Sequence, residues 1–213
     1  MKLAASFIIL ASAFAAKGAI VAGAGITVTG TTYYGPDQVL INLVNGSGLS
    51  LADDPTATHS ENNNSAEQWH AGGGQGIEGG PPVVDDQVVT FDLGELYDLN
   101  TVYIWQHNQP GNFGRGVNQF DLLYSSDGVS YTAFANNLNL AISPGGNISA
   151  QSFAFSQANV RFVQIAIDSA HSGSANEYVG LAEVMFDGVA VPEPSSVALL
   201  AFAGAGIALR RRR

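Results

Sequence analysis

Cysteine is absent from the 213 residues, which excludes disulfides, zinc–thiolate sites and a thiol nucleophile. Positive charge is nearly absent from the body of the chain. Of eight basic residues, Lys2 and Lys17 lie near the N-terminus and Arg210, Arg211, Arg212 and Arg213 at the end, leaving Arg115 and Arg161 between. Against those two stand 17 of the 18 acids. A surface of that sign repels phosphate backbones and excludes nucleic-acid binding, while it accommodates divalent cations and neutral ligands. Catalytic signatures are missing as well. There is no G-x-S-x-G and no P-loop, and the carboxylates are scattered over turns and strand ends. An enzyme is therefore not expected; a polysaccharide hydrolase would need two carboxylates gathered by the fold at glycosidase separation. What is abundant is hydrophobic residue, 46% of the chain, and glycine, 25 residues, which suits a packed domain with many turns.

The two ends are not expected to belong to that domain. Lys2 is followed by LAASFIILASAFAA, an apolar stretch of signal-peptide length, and AFAA and AGAG offer A-x-A-like cleavage sites on either side of Lys17. Residues 1–24 read as an N-terminal signal helix; a buried first helix, the other reading, lacks caps and polar partners. The chain closes with VPEPSSVALLAFAGAGIALRRRR. Its apolar run, 197–209, has 13 residues, short of the ~20 that a helix needs to cross a bilayer core. Pro192 and Pro194, with Glu193 between them, stop any regular element arriving from the body. Arg210, Arg211, Arg212 and Arg213 would hold the C-terminus on the cytoplasmic side.

Proline turn, short transmembrane-type helix and arginine cluster, in that order over residues 191–213, resemble the PEP-CTERM sorting signal of Gram-negative bacteria. The resemblance implies export and handling by an exosortase, a transpeptidase-like membrane protease. It also implies transient insertion in the inner membrane and an association with exopolysaccharide or biofilm at the cell surface or outside it. A plain tail anchor is the alternative.

Between the ends, residues 25–190 carry short runs of period two or continuous apolar character, bounded by Gly, Asn, Asp and Pro. GITVTGTTYY is the first, and QVVTFDLG, TVYIWQHN, NQFDLLYSS, YTAFANNL, AQSFAFS, VRFVQIAID and GLAEVMFDG follow. In TVYIWQ, Val102, Ile104 and Gln106 face one way and Tyr103 and Trp105 the other, so both faces carry bulk, as an inner strand requires. PDQVLINLVNG alone suggests a helical turn. These spacings predict an all-β fold, an antiparallel β-sandwich or jelly roll. Asn45-Gly46 and Asp127-Gly128 are turn formers. Residues 52–86 form a polar, glycine-rich stretch too long for an ordinary connection, with Trp69 expected to plug it onto the core. His59, Glu61, Glu67 and His70 in that stretch lack metal-ligand spacing and read as turn-making residues.

The order of these segments resembles the discoidin, or coagulation-factor C-type, superfamily with its galactose-binding-like fold. LVNGSGLS followed by Trp69, VVTFDLGELYDLNTVYIW, NQFDLLYSSDGVSYTAF, VRFVQIAI and GLAEVMFDG carry the likeness over residues 37–188, with Tyr131 where a tryptophan is common. The resemblance implies a structural Ca²⁺ between the early loop and the closing strand. The matching positions are Asn42 and Gly48 through carbonyls, Asn45, Ser50 through hydroxyl and carbonyl, Ala182 through its carbonyl, and Glu183. A loop of carbonyls plus a carboxylate suits calcium's demand for six to eight oxygens, although Asn45 stands where an Asp is usual and removes a charge. The other reading is a hydrogen-bonded loop with Glu183 accepting from backbone amides.

The superfamily also binds sugars through loops at one end of the sandwich. WQHNQPGNFGRGVNQF supplies the residue types such a site uses: His107, Asn108 and Asn112 for hydroxyls, Arg115 as a forked donor, and Phe113 as an aromatic face. As an alternative, Arg115 would clamp Asp121 or an early acid, and His107 would be a satisfied core histidine. The expectation is an exported, exosortase-sorted protein whose sandwich binds carbohydrate, with a non-sugar-binding envelope or matrix protein as the second reading.

Overall fold

Alternation of buried and half-buried side chains sets the strands. The computed structural model describes residues 18–30, 37–61, 65–72, 87–172 and 178–192. Residues 1–17, positions 62–64 and 73–86 of the glycine-rich stretch, and the sorting signal from Glu193 onward, with Pro194, Arg210, Arg211, Arg212 and Arg213, lie outside the described residues. Ten strands are described: β1 (Ala19–Val21), β2 (Thr27–Gly30), β3 (Thr58–His59), β4 (Trp69–Gly72), β5 (Gln87–Gln106), β6 (Val117–Ser125), β7 (Thr132–Asn139), β8 (Ile148–Ser149), β9 (Gln151–Ala170) and β10 (Tyr178–Ala190). All pairings between them are antiparallel. The order is β1-β10-β5-β9-β6-β7, with β2 added to β5 and β4 to β10, and β3-β8 form a separate pair.

Two strands of 20 residues replace the four shorter ones predicted from QVVTFDLG, TVYIWQHN, AQSFAFS and VRFVQIAID. The strand continues from Gly94 to Asn100 although Gly94 takes φ +85°, and the discontinuity appears as register shifts against β9 between Asp92 and Thr101. Such shifts bend and twist a strand, so one long strand can serve two layers. Residues 87–92 of β5 lie between β2 and the second half of β9; residues 97–106 lie between β10 and its first half. The core fills the space between these layers. Phe91 meets Phe186 edge-on at 5.4 Å between centroids, and Phe120 meets Phe153 at 5.3 Å. Leu99, Val102, Ile104, Val163, Ile165 and Val184 are all buried among them. The inner-strand reading of TVYIWQ holds: Val102, Ile104, Trp105 and Gln106 are buried, and the Trp105 indole donates to the Ala57 carbonyl at 3.0 Å.

Local expectations also stand. Leu40–Leu43 is one 3-10 turn. Asp127 Oδ1 accepts from the Val129 and Ser130 amides at 2.9 Å while Gly128 takes φ +73°, and Asn45 Oδ1 accepts from the Ser47 amide at 2.8 Å. These are side-chain-closed turns of the kind Asx residues make. Trp69 is fully buried in the main core. One boundary differs from expectation. The sheet begins before residue 25, because Ala19, Ile20 and Val21 pair with Gly188, Asp187 and Phe186.

Candidate functional site

The end of the sandwich where β5 stops and β10 starts is organised by buried amides. Gln106, the last residue of β5, donates to the carbonyls of Val117 (2.7 Å) and Ala141 (3.1 Å) and accepts from the His107 amide. Asn108 is fully buried and uses its whole side chain. Its Nδ2 donates to the Ser60 and Gly146 carbonyls at 3.0 and 2.8 Å, and its Oδ1 accepts from the Ser143 hydroxyl at 2.6 Å. Buried polar groups with full partner sets fix loops rather than recruit ligands. Asn108 therefore staples three loops together, and His107 lies wholly inside the same floor.

The imidazoles of His107 and His70, on β4, meet through their Nε2 atoms, with ring centroids 4.3 Å apart. Burial pushes the His70 pKa down to about 3, helped by the nearby Arg115 charge; burial, then His70, Arg115 and His59, push His107 well below the usual imidazole value. Both rings are thus neutral at physiological pH, and one donates its N–H to the other's lone pair. Their folded-state values lie below the unfolded value of 6.5. The unfolded chain therefore takes up protons first on acidification, and stability falls as pH drops below that value. In urea unfolding between pH 7 and pH 5, the wild type should lose stability relative to a His70→Gln, His107→Gln double variant, and that difference isolates the histidines from Glu183, whose contribution has the opposite sign.

Above this floor, Asn112, Phe113 and Arg115 sit on a turn that is half-exposed throughout. Phe113–Arg115 is a single 3-10 turn that returns the chain into β6. The Arg115 guanidinium lies over the Tyr178 ring at 4.3 Å from its centroid and donates through Nη1 to Gln109 Oε1 at 3.4 Å. A cation stacked on an aromatic face is held in place, and the Arg115 Nε is buried without a hydrogen-bond partner. The alternative pairing with Asp121 is not made: that carboxylate accepts from the Asn137 amide, and the ion pair described in this protein joins Arg161 to Asp92 at 2.8 Å. The site residues predicted from the sequence thus separate into two levels. His107 and Asn108 are structural floor, while Asn112, Phe113 and Arg115 are brought together at the surface. Tyr178, which the sequence reading missed, joins the upper level from the first position of β10. Its one sequence signal is an aromatic immediately before the VGLAEV strand.

Close packing of β10 on this floor depends on Gly180. A Cβ there would lie 2.5 Å from the Trp69 carbonyl oxygen and 2.6 Å from His70 Cδ2. Gly180→Ala should therefore cost about 1–3 kcal/mol of stability, in the range of overpacked cores, measured by urea unfolding.

The positions expected to hold calcium lie on the loop of residues 42–50 and on β10, which meet where the Gly46 amide reaches Glu183. Glu183 is fully buried; its Oε2 accepts from the Gly46 amide at 3.1 Å and its Oε1 has no hydrogen-bond partner. Burial, with the Asp53 charge adding, pushes its pKa up to about 9, against the stabilising Gly46 hydrogen bond. Asn42 donates to the Asp37 and Gln68 carbonyls and accepts from Asn45, so both asparagine side chains are engaged within the loop. The Gly48 carbonyl accepts from the Ser60 amide, the Ser50 hydroxyl accepts from the Thr58 amide, and Ala182 is buried beside Glu183. Gly48 has φ +80°, and a Cβ on it would strike His59 Nε2 at 2.6 Å. His59 itself is tied to the Ser60 and Glu67 carbonyls. An orphaned buried carboxylate oxygen beside a loop of carbonyls fits a hard, oxygen-seeking cation; the same pocket also fits a protonated Glu183. Among the described residues no group of three or more His, Asp or Glu side chains gathers as a metal site.

Comparison with known proteins agrees with this architecture. Among solved structures, a family 32 carbohydrate-binding module of Clostridium perfringens, in complex with GalNAc-β-1,3-galactose, is 16% identical, with a TM-score of 0.53 over 76% of this chain and 94% of that one. A second module from C. perfringens NanJ, in complex with galactose, is 13% identical, with a TM-score of 0.51 over 80% and 98%. The C-terminal domain of a chitobiase from Bacteroides fragilis is 12% identical, with a TM-score of 0.57 over 81% and 99%. At such identities the likeness shows the fold, a β-sandwich. A search of curated proteins finds no match. The PEP-CTERM protein-sorting motif matches residues 190–213, which marks the chain for exosortase sorting and export. Among the described residues no helix is long and apolar enough to cross a membrane; the apolar run at 197–209 lies outside them. With the F5/8 type C domain matching residues 45–184, about two thirds of its length, the chain belongs to the F5/8 type C domain family.

Proposed function

We propose that this protein is exported, sorted by an exosortase and displayed outside the cell, where its sandwich binds carbohydrate, with exopolysaccharide as the target. The observation that carries the reading is the surface turn of Asn112, Phe113 and Arg115, in which Arg115 stacks on Tyr178. Sugar recognition needs a planar aromatic face for C–H groups and fixed polar groups for hydroxyls. Arg115 on Tyr178 supplies the forked donor, Asn112 an amide, and Phe113 an aromatic edge, all on a loop held by the Asn108 staple. Two arginines against 17 acids between the terminal signals favour a neutral glycan over a polyanion. The structures that share this fold include modules in complex with galactose and with GalNAc-β-1,3-galactose, which supports the class of ligand and leaves the sugar itself open. No catalytic role is assigned.

A glycan array, together with exopolysaccharide pull-down, tests the reading. The wild type should retain a defined set of glycans, Arg115→Ala should lose them, and His107→Ala should lose them only with a measurable drop in thermal stability. No retention by the wild type would sink the function. One observation favours a second reading: His107 and Asn108 are wholly buried, so part of the loop serves packing. On that reading the protein is a matrix or envelope component that contacts protein neighbours.

A further inference from the structure

Two sequence positions could release the leader: Ala13-Phe14-Ala15 before Lys17 and Ala22-Gly23-Ala24 after it, each with small residues at the positions a signal peptidase reads. The fold distinguishes them. Ala19, Ile20 and Val21 form β1 and pair with Gly188, Asp187 and Phe186 of β10. Val21 and Ile26 belong to the main core, and Ile20 and Ala22 pack on a second cluster that contains Trp105 and Met185. The chain is already packed at residue 18, where a Cβ on Gly18 would lie 2.7 Å from Asp187 Oδ1. Cleavage after Ala24 would delete this strand. It would leave the backbone groups of β10 unpaired on one side at residues 186–188 and uncover apolar surface. Cleavage after Ala15 keeps every described residue of β1 and the apolar side chains that follow it.

We infer that the exported chain is cut at the Ala15–Ala16 bond and that residues 18–24 are part of the mature domain. Water adds across that peptide bond: the leader leaves with a new carboxylate on Ala15, and the mature chain starts with a new amine on Ala16. Cleavage occurs on the unfolded, translocating chain, so the fold does not shield the second triplet; it makes a cut there destructive. The first triplet also ends the apolar run directly, whereas Lys17 separates the second from it.

The retained strand has a geometric consequence. β1 and β10 are antiparallel, so the new N-terminus and the start of the sorting signal leave the domain at the same end. The last backbone hydrogen bond before the signal joins the Val191 amide to the Leu96 carbonyl at 2.8 Å. The candidate site lies at the other end of β10, where Gly180 abuts His70 and His107; from Leu181 to Ala190 the strand runs about 30 Å at its usual rise. A chain held at either processed end presents Arg115 and Tyr178 away from its attachment.

This inference rests on the export reading, and one experiment separates their failures. The full chain is produced in a Gram-negative host, and the exported protein is analysed by intact mass and N-terminal sequencing. The expected N-terminus is Ala16. A chain that starts at Gly25 overturns the cut site and leaves export standing; a chain that keeps Met1 and is found only in the cytoplasm overturns export as well. Ala15→Leu should accumulate uncut precursor, and Ala24→Leu should leave the Ala16 start unchanged. Release of the Ala15→Leu variant with an unchanged N-terminus would overturn the assignment.

Discussion

Trp69→Ala should lower the unfolding free energy by about 3–5 kcal/mol, the cost of emptying a large aromatic site in a packed core. The indole is fully buried in the main cluster, and its strand is only four residues long. That strand is held to β10 through Trp69 opposite Leu181, His70 opposite Gly180, Ala71 opposite Val179 and Gly72 opposite Tyr178. A short strand has few hydrogen bonds with which to resist a cavity, so the loss spreads to its neighbours. His70 would shift against His107, and Tyr178 would lose its fixed position under Arg115. Equilibrium urea unfolding should show the drop. For a domain of this size each kcal/mol corresponds to about 2–4 °C, so the melting temperature should fall by about 6–20 °C. A variant that melts with the wild type would mean that the glycine-rich stretch is not fastened through this residue.

The second large effect belongs to Glu183 and carries a definite sign. Its folded-state pKa, about 9, lies above the unfolded value of 4.5. The folded state therefore holds the proton more tightly, and stability falls as pH rises from about the unfolded value toward the folded one. Each unit of difference is about 1.4 kcal/mol, so the slope amounts to several kcal/mol across that window. A bound Ca²⁺ would reverse the balance by favouring the ionised carboxylate at the orphaned Oε1. Calcium at a hundred times its dissociation constant should add about 2.7 kcal/mol, and the increment should grow with pH. Thermal melts from pH 7 to pH 9, where His70 and His107 are neutral in the folded and the unfolded chain alike, with calcium and with chelator, should show both behaviours in the wild type and neither in Glu183→Gln. A calcium-insensitive wild type would leave Glu183 as a protonated hydrogen-bonding group of the loop.

Much of this was legible because β-structure writes itself locally. Alternation in QVVTFDL and the Asx-Gly turns state their conformation within a few residues. Continuity was harder to see. Gly94, Asp98 and Asn100 look like breaks, yet the strand continues through them, with a positive φ at Gly94 and register shifts against the partner strands. Burial of His107 was hidden for a related reason. An inner strand covered on both faces has no polar side from which to tell an inward histidine from an outward one. Tyr178 escaped notice because its role depends on Arg115, more than 60 positions away, meeting it across β10. The early strand was concealed by composition: AIVAGAG reads as the tail of an export signal, and only its pairing with residues 186–188 shows that it closes the sheet.

The glycan account meets its most direct test in calorimetric titration of the exported protein with oligosaccharides from the producing cell's exopolysaccharide. Three proteins are compared: the wild type, Arg115→Ala and Arg161→Ala. Both variants remove one positive charge, but Arg161 is paired with Asp92 far from Tyr178, so it controls for charge alone. The account predicts that the wild type and Arg161→Ala bind alike and that Arg115→Ala binds at least about tenfold more weakly, a loss of ~1.4 kcal/mol. Undiminished binding by Arg115→Ala, or no heat of binding from the wild type, would contradict it.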